Sequence, residues 1–512
     1  MPGEMDRARA ARSTLWSAVE NAGLALVSFS SLIVYARFLT AAEFGLFSIV
    51  LALVELLDVL VSMLFHDALV QRHDATPRHF DTAFTVTLAL SVVLFGACWA
   101  LAPTFARLVH NGQASGVLVW TALRFPCTAI GAIIVAQQRR ELSFKMLALR
   151  SLVGRISGAA LGIVLVAMGA GVWGLVAQQV LIALAGSLVL WWGAEHRPRL
   201  GFGARELRQL IGFGAYAVGA LFLGFAVKRL FTIVAGVMLG NELAGYLNIG
   251  FRAVDVLWAI AATAVSQVAL PVLARLQSDP ERLRRAYQSA VEFTCLVLYP
   301  CFWGIALVAP EVVQLLFGAR WLASSPYVTA LALLTVIQAP RLLITPMLTA
   351  VGRPRDPLAG LAIELVVTLG LLLTVGPRSL PWAVGIWILR EVTSAPVMVR
   401  LLARATGIGV IQQLRGMLAP LLASVAMAAV LYVTRRLLPG GLGAPARMAI
   451  LAPLGALSFL AAAWSIDARA MRRLAEFAAS VLGRTAGRRS SLGPLAPLGA
   501  EAAEAGAVGE PQ

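Results

Sequence analysis

Apolar stretches close to 20 residues long follow one another along almost the whole chain, separated by short segments rich in arginine. A helix rises about 1.5 Å per residue, so each stretch suffices to cross roughly 30 Å of hydrocarbon. In lipid, backbone N–H and C=O groups find no water, which leaves only helices and closed barrels as spanning structures. No long alternating polar and apolar strands suggest a barrel. The chain therefore reads as an all-α polytopic membrane protein. Only 13% of its 512 residues are charged and 59% are hydrophobic, whereas a soluble domain carries roughly 25% charged residues.

Fourteen spans are predicted, at 14–38, 44–67, 79–102, 115–136, 147–169, 172–193, 210–238, 245–272, 288–309, 325–350, 357–375, 382–401, 416–434 and 447–466. With the N-terminus inside, 28 of the 42 lysines and arginines fall on inner segments, 7 on outer segments and 7 within spans. That asymmetry predicts both termini on the cytoplasmic side. The net charge of +16 follows from these loop positions, so it does not point to nucleic acid. The basic N-terminus resembles a signal peptide, but Glu20 and Asn21 interrupt the apolar run and no small-residue cleavage site closes it. It reads as an uncleaved first helix. "TAAE" at Thr40 to Glu43 is a capping box that starts span two, and Thr76-Pro77 opens span three. Cys98, Cys127, Cys295 and Cys301 lie within apolar runs without zinc spacing, so no metal site or cofactor is expected.

An internal repeat is faint but ordered. At a constant offset of 200, Leu39 matches Leu239, Gly45 matches Gly245, Ile49 matches Ile249 and Glu55 matches Asp255. The repeat sets spans one and two against spans seven and eight. It predicts two pseudo-symmetric six-helix bundles plus two C-terminal helices. The segments are a cytoplasmic N-terminus (1–13), a first bundle (14–193), a cytoplasmic linker (194–209), a second bundle (210–401), two additional helices (402–466) and a cytoplasmic tail (467–512). The Ala/Gly/Pro-rich end of the tail, 490–512, is expected to be disordered. Repeated halves of this kind are a transporter signature, with the site between them near the midplane.

The stretches "ARFLTAAEFGLFSIV", "LGNELAGYLNIGFRAVDVL", "QVALPVLARLQSDPERLRRAYQSA", "LFGARWLASSPYVTALAL" and "AVGRPRDPL", in this order, resemble the bacterial polysaccharide transporter family. Its members are O-antigen and exopolysaccharide flippases of the multidrug/oligosaccharidyl-lipid/polysaccharide exporter superfamily. The resemblance covers roughly residues 10–435. It implies movement of undecaprenyl-pyrophosphate-linked oligosaccharides from the inner to the outer leaflet of the bacterial cytoplasmic membrane by alternating access. It also implies a V-shaped pair of bundles around a central cavity, and a polysaccharide polymerase and chain-length regulator as partners. A lipid II flippase or drug exporter shares the architecture. A membrane glycosyltransferase, polymerase or ligase would need a substantial outer loop bearing catalytic groups, and the longest outer loop here is only 310–324.

Moving a sugar headgroup through hydrocarbon unaided costs about 4–8 kcal/mol per unpaired hydroxyl. A flippase therefore needs a polar cavity, and a pyrophosphate calls for arginine or lysine inside it. The candidate substrate residues are Lys228, Arg229, Arg252, Arg124, Arg341 and Arg155; Glu55, Asp58, Asp255 and Glu20 are candidates for ion coupling. Lys228 and Arg229 sit together deep in span seven, with no acid within four residues. They either line the cavity or pair with an acid of another helix. Gly212, Gly214, Gly219 and Gly224 of the same span would permit bending. Arg252 and Asp255, three apart on one helix, are a ready-made pair. Arg155 stands near the inner end of span five, within reach of the surface by snorkelling. Arg390 and Glu391 are adjacent and diverge by about 100° around a helix, so no direct pair is expected.

Overall fold

The computed structural model describes residues 23–476, apart from the single positions 73, 142, 278 and 440. Glu20, the segment 1–13, the start of span one and the tail beyond 476 lie outside the described residues. Every regular element among the described residues is helical. Twelve helices are long and apolar enough to cross a membrane. The other two expected spans map onto α1 (Gly23–Phe38), the described part of span one, and α17 (Leu380–Thr406), 27 residues long, whose middle carries Arg390 and Glu391. The count of fourteen is thus not reached by length and composition alone.

In the first half, α2 (Ala41–Met63) and the short α3 (His66–Gln71) lead to α4 (Pro77–Leu108), then α5 (Gln113–Ala122), α6 (Arg124–Arg140), α7 (Phe144–Ala167) and α8 (Val172–Gly193). The capping box is present: the Thr40 hydroxyl accepts from the Glu43 N–H at 3.2 Å, and the Glu43 carboxylate accepts from the Thr40 N–H at 2.9 Å. Thr76 caps α4 with Pro77 in its first turn. The second half holds α9 (Ala204–Leu239), α10 (Asn241–Arg275), α11 (Pro280–Leu307), α12 (Ala309–Leu316), α13 (Ser325–Leu333), α14 (Thr335–Arg341), α15 (Ile344–Ala350), α16 (Asp356–Thr374) and α17. The glycines of span seven do not break it; α9 runs continuously for 36 residues.

Two expected spans are broken, at corresponding places in the two halves. Span four divides into α5 and α6 beside Pro126, and span ten into α13, α14 and α15 beside Pro340 and Pro346. A proline removes one ladder N–H, and its ring clashes with the carbonyl four residues back. Pro126 thus ends α5 at Ala122, and Pro346 separates α14 from α15 at Leu342–Leu343. The Val336 carbonyl, which Pro340 cannot engage, accepts a hydrogen bond from the buried Tyr299 hydroxyl at 3.0 Å. Arg124 opens α6 and Arg341 closes α14, so each break places an arginine.

The halves share one core, centred on α2 and α10. The repeat positions Gly45 and Gly245 meet there. A Cβ on Gly45 would overlap the Asn241 carbonyl oxygen, and a Cβ on Gly245 would overlap the Ala41 carbonyl oxygen. Ala41 and Asn241 are themselves 200 apart, so the contact is reciprocal. Fully buried Trp321, from the 3-10 turn Ala319–Ser324, caps this crossing. Its Nε1 donates to the Ala36 carbonyl at 2.7 Å, and its ring packs edge-on against Phe44 and Tyr246. The expected 194–209 linker is pinned to the start of α4: the Arg199 N–H donates to Asp81 at 2.7 Å and the Gly203 N–H to the Thr82 hydroxyl at 3.1 Å. The additional helices α18 (Val410–Leu437) and α19 (Ala444–Ile466) dock on α11 through a small apolar core. Arg435 bonds buried Glu311 at 3.0 Å, and Arg473 contacts Glu292 at 3.3 Å, which fastens this pair to the second half.

Candidate functional site

Intramembrane charge gathers in two clusters. The first lies where the halves meet. On α2, Glu55 and Asp58 are three apart and share a face. The α5–α6 break aims Arg124 at them, 3.0 Å from Asp58 and 4.0 Å from Glu55, with a further hydrogen bond to Gln179 of α8 at 3.1 Å. Arg229 of α9 reaches across to Glu55 at 2.6 Å, an ion pair between the halves. The pairing is a charge contact rather than an aligned hydrogen bond, since the same Glu55 Oε2 has no hydrogen-bond partner.

Lys228 pairs with Asp255 of α10 and lies 4.9 Å from the Phe251 ring centre. The acids missing from span seven are thus supplied by other helices. The Lys228 and Arg229 side chains still keep 32% and 28% exposure, and Asp255 keeps 46%, so they border open space rather than packed core.

Arg252 and Asp255 do not pair. Arg252 instead donates from Nε to the Asn248 side-chain oxygen, four residues back, at 2.9 Å, because Lys228 occupies Asp255. Arg155 does not snorkel away from this group. It stands within electrostatic range of Arg124, Glu55 and Arg252, and its Nε is buried without a hydrogen-bond partner. Among the described residues the cluster therefore holds five cations against three carboxylates. Such a surplus suits an anionic ligand.

The second cluster belongs wholly to the second half. Arg341 bonds Glu364 of α16 at 2.9 Å and also bonds Glu391. Arg390 bonds Glu364 at 2.8 Å and Glu391 at 2.9 Å. The expectation that Arg390 and Glu391 would not pair is corrected here. Their Cβ atoms diverge, but both side chains are long enough to curve toward the same helix neighbours. Ser394 and Gln338 complete the carboxylate shells at 2.9 and 3.0 Å, and the Arg390 guanidinium stacks 3.5 Å from the Trp387 ring centre. Two cations and two carboxylates, each at most 15% exposed, make a neutral knot that ties α14, α16 and α17 together. Arg341 also lines a mostly apolar pocket of about 440 Å³ beside α11, α17 and α18.

The candidates Arg124, Arg155, Lys228, Arg229, Arg252, Glu55, Asp58 and Asp255 are thus brought together, while Arg341 is placed in the neutral knot. Sequence reasoning missed Asn248 and Gln179. Asn248 was legible at four residues before Arg252; Gln179 carried no signal. Among the described residues, no three His, Cys, Asp or Glu side chains are placed to hold a metal ion.

The succinoglycan biosynthesis transport protein ExoT of Rhizobium meliloti (strain 1021) is 25% identical over 342 residues, 67% of this chain and 69% of its own. The lipopolysaccharide biosynthesis protein WzxC of Escherichia coli (strain K12) is 23% identical over 335 residues, 63% of this chain and 66% of its own. In fold, the chain is similar to the lipid II flippase MurJ in an inward closed conformation. The TM-score is 0.71 at 14% identity, over 89% of this chain and 98% of that one. A multidrug resistance MATE family transporter of the MOP superfamily, in an inward-facing conformation, follows at TM-score 0.51 and 17% identity, over 81% of this chain and 96% of that one. The family model described as "Polysaccharide biosynthesis protein" matches residues 34–326, more than half of the chain, and the chain belongs to that family.

Proposed function

We propose that this chain is a flippase. It carries undecaprenyl-diphosphate-linked oligosaccharide units from the inner to the outer leaflet of a bacterial cytoplasmic membrane, for surface polysaccharide synthesis. The observation that carries this reading is the cation-rich cluster where the two halves meet, bridged by Arg229 and Glu55. A polar headgroup needs a wet, charged path, while its lipid tail can stay in the bilayer. Two halves that rock about a shared core expose that path to one side at a time. The surplus of cations favours an anionic lipid-linked substrate over cationic drugs. The names of the relatives, which concern succinoglycan and lipopolysaccharide biosynthesis, point to surface polysaccharide.

The arginine asymmetry supports a cytoplasmic position for both termini. The same reading expects a polysaccharide polymerase and a chain-length regulator to act on the product at the outer face; genes for them beside this one would support it. At the bench, the Lys228→Ala/Arg229→Ala variant should abolish surface polysaccharide while its level in the membrane stays that of wild type. Full export by the double variant would remove these two cations from the mechanism.

A further inference from the structure

The pocket of about 440 Å³ beside α11, α17 and α18 stands apart from the charge cluster where the halves meet. It forms because α18, after the turn at Gly407, packs along α11 far more than along α17. Gly416 permits that closeness: a Cβ there would meet the Gln288 carbonyl oxygen at 2.9 Å and the Glu292 nitrogen at 3.0 Å. The gap left between α17 and α18 opens past exposed Val392, Val410 and Leu414, apolar residues that suit a lipid-facing mouth. Along α17 the lining runs from Val392 to Arg400, eight residues or about 12 Å at helical rise. That is most of one leaflet of a hydrocarbon core roughly 30 Å thick. In the proposed orientation Arg400 marks the cytoplasmic end. Two polar groups of the lining are unanswered there. Gln413 is 2% exposed, and its Nε2 donates to the Val399 carbonyl at 3.0 Å and the Ile408 carbonyl at 2.9 Å. Those bonds hold the amide one residue from Arg400, while its Oε1 is buried without a hydrogen-bond partner. Arg400 is exposed and joins no ion pair among the described residues. The other lining arginine, Arg341, is engaged by Glu364 and Glu391, and the lining holds no Asp or Glu.

We infer that this pocket binds one anionic glycerophospholipid of the inner leaflet, of the phosphatidylglycerol type. Arg400 takes the phosphate, a headgroup hydroxyl donates to Gln413 Oε1, and one acyl chain fills the apolar slot toward Val392. Each part of such a lipid answers a feature of the lining. A zwitterionic headgroup would bring its own cation to a site with two arginines and no acid, so a net negative lipid is favoured. A headgroup without a donor would leave the Gln413 Oε1 unpaired, which is costly in a buried place. A soluble anion would leave the apolar walls uncovered. The bound lipid fills the seam between the second bundle and the additional helices and stabilises their junction.

The test titrates the full chain, delipidated in detergent, and reads the first bound lipid by native mass spectrometry together with the melting temperature. The probes are phosphatidylglycerol, phosphatidylethanolamine, phosphatidylmethanol (anionic, without a headgroup hydroxyl), a polyprenyl monophosphate and glycerol 3-phosphate. Wild type is expected to bind phosphatidylglycerol about five-fold more tightly than phosphatidylethanolamine, the gain from one basic residue at a membrane surface. It should also bind it several-fold more tightly than phosphatidylmethanol, and melt higher when it is bound. Arg400→Gln should lose the preference over phosphatidylethanolamine, Arg400→Lys should keep much of it, and Arg404→Gln, outside the lining, should keep all of it. Ala395→Phe, which fills the slot, should lose the lipid-dependent rise in melting temperature. A preference unchanged in Arg400→Gln overturns the site. An equal loss in Arg404→Gln would mark diffuse surface charge and overturn it too. Tighter binding of the polyprenyl monophosphate that Ala395→Phe abolishes would assign the slot to a substrate tail instead. Glycerol 3-phosphate bound as tightly as the lipid would leave the slot without a role, and overturn the proposal.

Discussion

At the scale of single residues, pairing decides what a buried charge does. The neutral knot of Arg341, Arg390, Glu364 and Glu391 has each charge answered, so its loss should register first in stability. Removing one partner of a buried pair costs about 3–5 kcal/mol. Glu364→Ala is therefore expected to lower the melting temperature of the purified protein clearly, and Glu364→Gln less, since an amide still accepts from Ser394 and the arginines. A Glu364→Ala protein that melts with wild type would show that the knot does not hold the second half together. The residues of both clusters were legible as intramembrane charges, but their partners were not. Arg229 and Glu55 are separated by most of the first half of the chain, and no local rule joins them. The Arg390–Glu391 pair was missed because helical angle alone ignores the length of two flexible side chains.

At the scale of elements, the breaks in spans four and ten position the arginines. The prolines were visible, yet both stretches are apolar enough to read as continuous helices, and only packing shows where the ladder yields. Pro126→Ala restores an N–H and removes the ring clash with the Ala122 carbonyl. It is expected to let α5 run into α6, to turn Arg124 away from Asp58 and to lower polysaccharide export several-fold at a normal protein level. Export equal to wild type would mean that the break serves packing alone. The capping box at Thr40 and the Thr76-Pro77 helix start lay where their local sequences put them, because caps depend on neighbours a few residues apart. The docking of α18 and α19 on α11, by contrast, rests on a small apolar core that no periodicity reveals.

At the scale of the whole molecule, the duplicated architecture followed from a handful of matches 200 residues apart. Gly45 and Gly245 proved to be partners in space as well as in sequence. Neither tolerates a side chain where α2 and α10 cross. Gly45→Val should force the helix ends apart, and spin labels at Ala42→Cys and Glu242→Cys, in a chain without its four native cysteines, should report a longer and broader distance than in the Gly45 parent. An unchanged distance would show that the crossing gives way elsewhere. The sequence could not supply the angle between the halves, since that is set by how side chains mesh across the shared core.

If the halves rock as proposed, their tightest crossing, at Gly45 and Gly245, is the natural fulcrum. Glu55 lies ten residues from Gly45, a lever arm of about 15 Å at helical rise, and Arg252 lies seven residues from Gly245, about 10 Å. A relative tilt of about 10° at the fulcrum moves Glu55 through roughly 2.6 Å, with hardly any displacement of the two glycines themselves. Added to the present Arg229–Glu55 contact of 2.6 Å, that travel would take the pair beyond ion-pair distance. A swing small enough to leave the pivot packed is therefore large enough to change which charge Glu55 answers.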